Sequence, residues 1–265
     1  MTKGDSKRFI SYSMGLVIST IIIYFVLNIL YKTNRIGLIT ANFLSLIINA
    51  MPFLLALFLA GMAKDKLELM RMKRRFGLSI KAVLGVVFMG ILALLAGYFV
   101  VKEYTSLTIG SYVTGLLNSL KVIWYISIVG AVSSEAGFRG FLKSHFEKTY
   151  SVLGSSFMIG VVYSIWLTIF VFISENPSFL CLLGVAIQFI LLSVFLGIIT
   201  TLGKRNLYPA ISFHFVWNLI AHTMNFQSRL EFLVYSNVVL FILCIVASLC
   251  YQIIKFGRKH KGNKG

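Results

Sequence analysis

Ala131-Val-Ser-Ser-Glu-Ala-Gly-Phe-Arg-Gly-Phe-Leu-Lys143 closes an apolar run that begins near Val122. Glu135 and Arg139 stand four residues apart in it, so on a helix the two charges share one face. An acid or an Arg at the middle of a membrane helix costs roughly 2.5–3.5 kcal/mol on insertion scales, so such groups turn inward and mark a site. Two readings stand at this point: a structural ion pair that locks the helix to its neighbours, or a functional pair.

Working outward, the composition says which solvent the chain meets. Of 265 residues, 58% are apolar and 12% are charged, the latter about half the norm for a globular protein. Apolar runs of around 20 residues, the length that spans a bilayer, recur along the chain. The formal charge of +17 raises nucleic acid as a partner, but Lys and Arg sit between the apolar runs and in the tails, with no separate basic domain to dock a duplex. A membrane protein with its positive loops on the cytoplasmic side accounts for the same charge. Cys181, Cys244 and Cys250 lie inside apolar runs, are odd in number and lack metal-ligand spacing. They read as small core hydrophobes.

The expected fold is all-α: one integral membrane domain over residues 1–265, a polytopic bundle of about eight transmembrane helices with both termini cytoplasmic. The spans fall at residues 9–31, 36–63, 79–101, from 122 through the charged pair, then 152–173, 178–202, 209–224 and 232–254. The first is too long for a signal-peptide core and no small-residue cleavage site follows it. Pro52 should kink the second by removing a backbone donor, Ser174-Glu-Asn-Pro177 reads as a turn, and Pro209 suits a first helical turn. Residues 64–78 form the most basic segment, expected as a cytoplasmic loop with a short amphipathic helix on anionic headgroups. Residues 102–121 are too polar to span and should lie along the outer interface, and residues 255–265 make a basic cytoplasmic tail. No repeat, low-complexity segment or soluble domain boundary is visible.

The seventh span carries a second set of polar groups. His214, Asn218 and His222 fall at i, i+4 and i+8, one polar stripe that either lines a cavity or pairs across helices. Counted from the flanking cytoplasmic cations at helical rise, Glu135 lies about 12 Å deep and His214 about 13 Å. The two sets can therefore meet.

Glu-x-x-Phe-Arg-Gly at 135–140 followed by His-x-x-x-Asn at 214–218 resembles the intramembrane protease superfamily of the CAAX prenyl endopeptidases and the bacterial bacteriocin-processing and immunity proteins, the CPBP or Abi family. The family pattern is Glu-Glu-x-x-x-Arg, then Phe-x-x-x-His, then His-x-x-x-Asn, and the resemblance covers about 122–224. Carried over residue by residue, it implies Glu135, Arg139, His214 and Asn218 as the site. Two positions depart from it. Ser134 stands where the first Glu belongs, and the second motif falls on Tyr163-Ser-Ile-Trp-Leu167, with Leu167 in place of its His.

The resemblance implies a mechanism in which the first Glu, oriented by the second-motif His, activates water while the third-motif His and Asn hold the oxyanion. General-base catalysis is worth about 10²–10⁴-fold, and a Ser134 hydroxyl is no carboxylate base. Leu167 neither takes a proton nor binds a metal. A rearranged site is the alternative, with Glu135 as base supported by His214, His222 or Tyr163; Arg139 opposes it by favouring the ionised carboxylate. With His ligands on the seventh span alone, neither zinc nor any other cofactor is expected. The expectation is a catalytically impaired relative in a bacterial cytoplasmic membrane, a scaffold, regulator or immunity-type protein. Its partners are the lipid bilayer and a membrane protein or peptide substrate, not nucleic acid. The alternative is an active endopeptidase trimming a prenylated-type or leader peptide. A transporter is disfavoured, because no pair of broken helices occupies corresponding halves.

Overall fold

A computed structural model of the chain describes residues 3–33, 38–62, 73–104, 108–175, 177–224 and 229–262. In hydrocarbon every backbone donor and acceptor must be satisfied within the segment, so apolar runs of spanning length become helices. The order is α1 (Lys3–Lys32), α2 (Leu38–Met62), α3 (Ile80–Tyr104), α4 (Ile109–Ser134), a π-helix (Glu135–Leu142), α5 (Lys143–Phe146), α6 (Val152–Glu175), α7 (Phe179–Leu202), α8 (Tyr208–Met224) and α9 (Leu230–Gly262). No strand occurs among the described residues.

Polar side chains start several helices by taking orphan amides of the first turn. Ser79 Oγ accepts from Ala82 N at 3.1 Å before α3, Thr108 Oγ1 from Ser111 N at 3.2 Å before α4, and Ser178 Oγ from Cys181 N at 3.3 Å before α7.

Among the described residues five helices are long and apolar enough to cross a membrane, or six when the bent pair formed by α4 and its continuation counts as one span. Leu84, Phe88, Phe99, Phe241 and Leu249 project outward, a surface suited to acyl chains rather than to water. The chain is therefore an all-helical membrane protein. Each of the eight expected spans coincides with a helix. However, α2 offers only Leu46–Met62 as a described apolar stretch, and α8 has 17 residues. The polar stretch at 102–121 ends α3 and opens α4, and the helix axis turns by 83° between Lys121 and Ile123.

Of the loop at 64–78, residues 64–72 lie outside the described residues; in the part that follows Lys73 and Arg74 are exposed, whereas Arg75 is buried. Its guanidinium Nη1 donates to Gly140 O at 2.7 Å and also to Arg139 O, so backbone carbonyls of the π-helix replace the expected headgroups. The tail continues α9 as helix to Gly262.

Pairwise packing sets the core: α6 lies on α7, α3 on α8, α7 on α9, α8 on α4, and α2 on both α4 and the π-helix. Tight crossings need small residues, because lipid supplies no hydrophobic drive to force helices together. Gly97 marks one such crossing, since a Cβ there would stand 2.4 Å from Ile220 Cδ1. Pro52 sits inside α2, and the neighbouring amide of Phe53 is taken at 3.0 Å by Ser133 Oγ of α4. Local disruption in α2 thus becomes a hydrogen bond to the next helix. Cys181 and Cys244 are buried and unpaired, whereas Cys250 faces outward.

Candidate functional site

The site begins with a change of helical register. After Ser134 the backbone widens into eight π-helical residues, all of them buried. Such turns bond i to i+5, and they recur at functional sites. At the far end Lys143 N still donates to Phe138 O, five residues back. Gly137 makes the wide turn compatible with its neighbours: a Cβ there would lie 2.4 Å from Pro52 O and 2.5 Å from Tyr12 Oη. Those two atoms are themselves joined, Tyr12 donating to Pro52 O at 3.0 Å.

Glu135 and Arg139 remain on one face of this turn. Arg139 Nη1 donates to Glu135 Oε1 at 3.1 Å. His214, from α8, reaches the same oxygen through Nδ1 at 2.9 Å, and the Tyr163 hydroxyl of α6 meets His214 Nε2 at 3.0 Å. Two helices and the π-turn thus share one chain of polar atoms, running Arg139, Glu135, His214, Tyr163. With Glu135 ionised, Nδ1–H donates to the carboxylate and Nε2 accepts from the phenol, a tautomer assigned from the network. No donor or acceptor of the imidazole is left over.

The chain is sealed. Glu135 and His214 are 0% exposed and Arg139 is 1% exposed. The Arg139 guanidinium lies 5.7 Å from the centre of the Tyr163 ring, in cation–π range. Phe138, Trp166 and Phe189 pack round the same ring with centroids at 4.7, 5.9 and 5.0 Å. In such an apolar box an ion pair interacts strongly, and an unpaired polar atom is correspondingly expensive. Three atoms there have no hydrogen-bond partner among the described residues: Glu135 Oε2, Arg139 Nε and Arg139 Nη2.

The remaining predicted positions divide. Ser134 is buried, and its side chain faces the Tyr163 phenol. Leu167, one turn beyond Tyr163, packs half-buried against the hydrophobic core. Asn218 does not join the polar chain. It is half-buried and lies with Asn49 beside Gly130, their amides 3.8 and 3.3 Å from where a Cβ would stand. His222 is exposed. The single stripe expected on α8 is therefore split, with only its first member at the acid.

As a metal site the arrangement is unsuitable. Both His214 nitrogens are engaged, and among the described residues no three His, Cys, Asp or Glu side chains converge.

A second buried polar cluster escaped the sequence reading, in which Lys143 only marks the end of the charged stretch. Lys143 is 4% exposed. Its Nζ donates to Thr201 Oγ1 at 2.7 Å and to Gly197 O, and it lies 3.5 Å from Glu147. Glu147 in turn pairs with Arg205 at 2.9 Å. The signal was present in the sequence as an i,i+4 Lys–Glu pair and a Thr-Thr step at the end of the α7 run.

An acid–imidazole–phenol chain held between helices below the membrane surface defines a class: integral membrane proteins with an intramembrane polar site. Residues 116–220 match the family model described as Type II CAAX prenyl endopeptidase Rce1-like. That region is thus similar to the Rce1-like, CPBP family, as the motifs on Glu135 and His214 imply, and it contains all four residues of the polar chain. No curated protein matches the chain.

Proposed function

We propose that the protein is a hydrolysis-impaired CPBP-family protein of a bacterial cytoplasmic membrane, with eight spans and cytoplasmic termini, acting on a membrane-protein partner as scaffold, regulator or immunity-type protein. One observation carries the reading. The retained carboxylate is committed: Glu135 Oε1 receives both Arg139 and His214 inside a sealed box. A base that must bind water and then accept its proton needs an oxygen that water can reach, and Glu135 is fully buried. Ser134 and Leu167 supply neither a second carboxylate nor an imidazole.

Purified protein in detergent, incubated with a prenylated CAAX-type peptide, tests it. The expected result is no cleavage by the parent chain and measurable cleavage by the Ser134→Glu, Leu167→His variant. Turnover by the parent that disappears in Glu135→Gln overturns the proposal.

That outcome would favour the second reading, an endopeptidase with a rearranged site. Glu135 Oε2 and Arg139 Nη2, buried without hydrogen-bond partners, support it, because a carboxylate oxygen and a guanidinium donor are what a water and a developing oxyanion need.

A further inference from the structure

Where α7 ends and α3 and α8 begin, two adjoining cavities of about 420 and 210 Å³ share Arg74 and Lys204 in their walls. Lys81 completes the larger, Arg75 and Arg205 the smaller. Among the described residues no carboxylate lines either one. Two of these five cations are engaged elsewhere, Arg75 by the π-helix carbonyls and Arg205 by Glu147. Arg74, Lys81 and Lys204 have no acidic partner among the described residues, and they converge on the larger cavity.

The backbone adds to this field. Ser79 caps α3 from the cavity wall, so the positive end of a helix of 25 residues opens on the same space. Lys204 and Arg205 both hold left-handed φ, at 54° and 68°. Non-glycine residues pay strain of order 1–3 kcal/mol each in sparsely populated regions, which persists only where the surroundings enforce it. Here the turn is pinned by Arg205 N to Thr200 O at 2.6 Å and Asn206 Nδ2 to Gly77 O at 2.7 Å. The cations are held at the cavity rather than free to disperse.

The rim distinguishes a lipid from a soluble anion. Residues alternate across it: Ser79 and Lys81 line the cavity, whereas Leu78 and Ile80 are 77% and 82% exposed. Leu84, one turn on, continues the outward apolar track. We propose that the Arg74–Lys81–Lys204 cavity binds the phosphate headgroup of an anionic phospholipid, whose acyl chains run along Leu78, Ile80 and Leu84. A phosphate diester satisfies the cations, and only a lipid covers the apolar track.

Native mass spectrometry of the delipidated full-length protein tests this with phosphatidylglycerol, phosphatidylcholine and inorganic phosphate as probes. Phosphatidylglycerol should bind at least tenfold more tightly than phosphatidylcholine, and inorganic phosphate should not displace it at equal concentration. The Arg74→Gln, Lys81→Gln, Lys204→Gln variant should lose that preference, while Lys121→Gln, Arg229→Gln keeps it. Equal binding of both lipids by the parent overturns the proposal, and so does an undiminished preference in the triple variant. Displacement by inorganic phosphate assigns the cavity to a free anion instead and also overturns it. The lipid competition on the parent protein decides the matter even if the triple variant does not fold.

Discussion

Glu135→Ala isolates what holds the buried network together. The substitution removes the acceptor of Arg139 Nη1 and of His214 Nδ1 at once. Arg139 Nε and Nη2 already lack partners among the described residues, so the guanidinium would keep only the Tyr163 ring at 5.7 Å. That contact is worth about 2 kcal/mol when desolvated, far less than the penalty of an uncompensated buried charge. Breaking one partner of a buried pair costs about 3–5 kcal/mol, whereas replacing both with apolar groups of similar volume is often neutral or stabilising. The expected order of stability is therefore parent first, then Glu135→Gln and the pair Glu135→Leu, Arg139→Met, each about 1–3 kcal/mol below it, the former as charge-assisted bonds become neutral and the latter because His214 Nδ1 loses its acceptor, then Glu135→Ala at the bottom. Reversible unfolding in mixed micelles, followed by tryptophan fluorescence, measures each step. A Glu135→Ala loss under about 1 kcal/mol would refute the reasoning, as would a double variant as unstable as the two single changes summed.

Tyr163→Phe keeps the ring beneath Arg139 but leaves His214 Nε2 buried without its donor, and should cost about 1–3 kcal/mol in the same assay. Gly137→Ala puts a methyl against Pro52 O and Tyr12 Oη; about 1–3 kcal/mol of overpacking should appear as reduced membrane abundance on quantitative blotting. Lys143→Met removes the donor to Thr201 Oγ1 and Gly197 O, and should lower stability by about 1–2 kcal/mol, with amide exchange at the α7 C-terminus rising ahead of global unfolding. His222→Ala, on an outward-facing residue, should change stability by less than about 0.5 kcal/mol, which separates it from His214 on the same helix.

Much of this arrangement is legible before any coordinates. Apolar run lengths locate α1–α4 and α6–α9, because lipid leaves the backbone no other way to satisfy itself. Simple depth arithmetic brings Glu135 and His214 to the same level, and the structure joins them at 2.9 Å. The splitting of the α8 stripe follows from geometry that the i, i+4, i+8 shorthand hides. At 3.6 residues per turn each step of four drifts by about 40°, so His222 stands about 80° round from His214. Arg75 and Lys143 were misplaced for a different reason. A charge bias assigns basic residues to a side of the membrane but is blind to a carbonyl or a hydroxyl that can receive them. The π-turn is not read from composition, because the atoms packed against its Gly137, Pro52 O and Tyr12 Oη, come from two other helices.

The proposal also explains why a folded chain tolerates the two departures from the motif and would not tolerate others. Ser134 is small and already has the Tyr163 phenol as a neighbour, and Leu167 fills apolar space, so neither leaves a buried charge or an unmet donor. Glu135, Arg139 and His214 cannot be surrendered singly, since each loss strands the next along the chain, and in the low dielectric of the box each stranded group is costly. The hydrolytic parts are therefore separable from the packing parts. A buried, fully packed polar network of this kind is held by its structural role alone, so the presence of Glu135 and His214 is by itself no argument for turnover. On the proposed reading the informative positions are 134 and 167, where this chain departs from the family pattern.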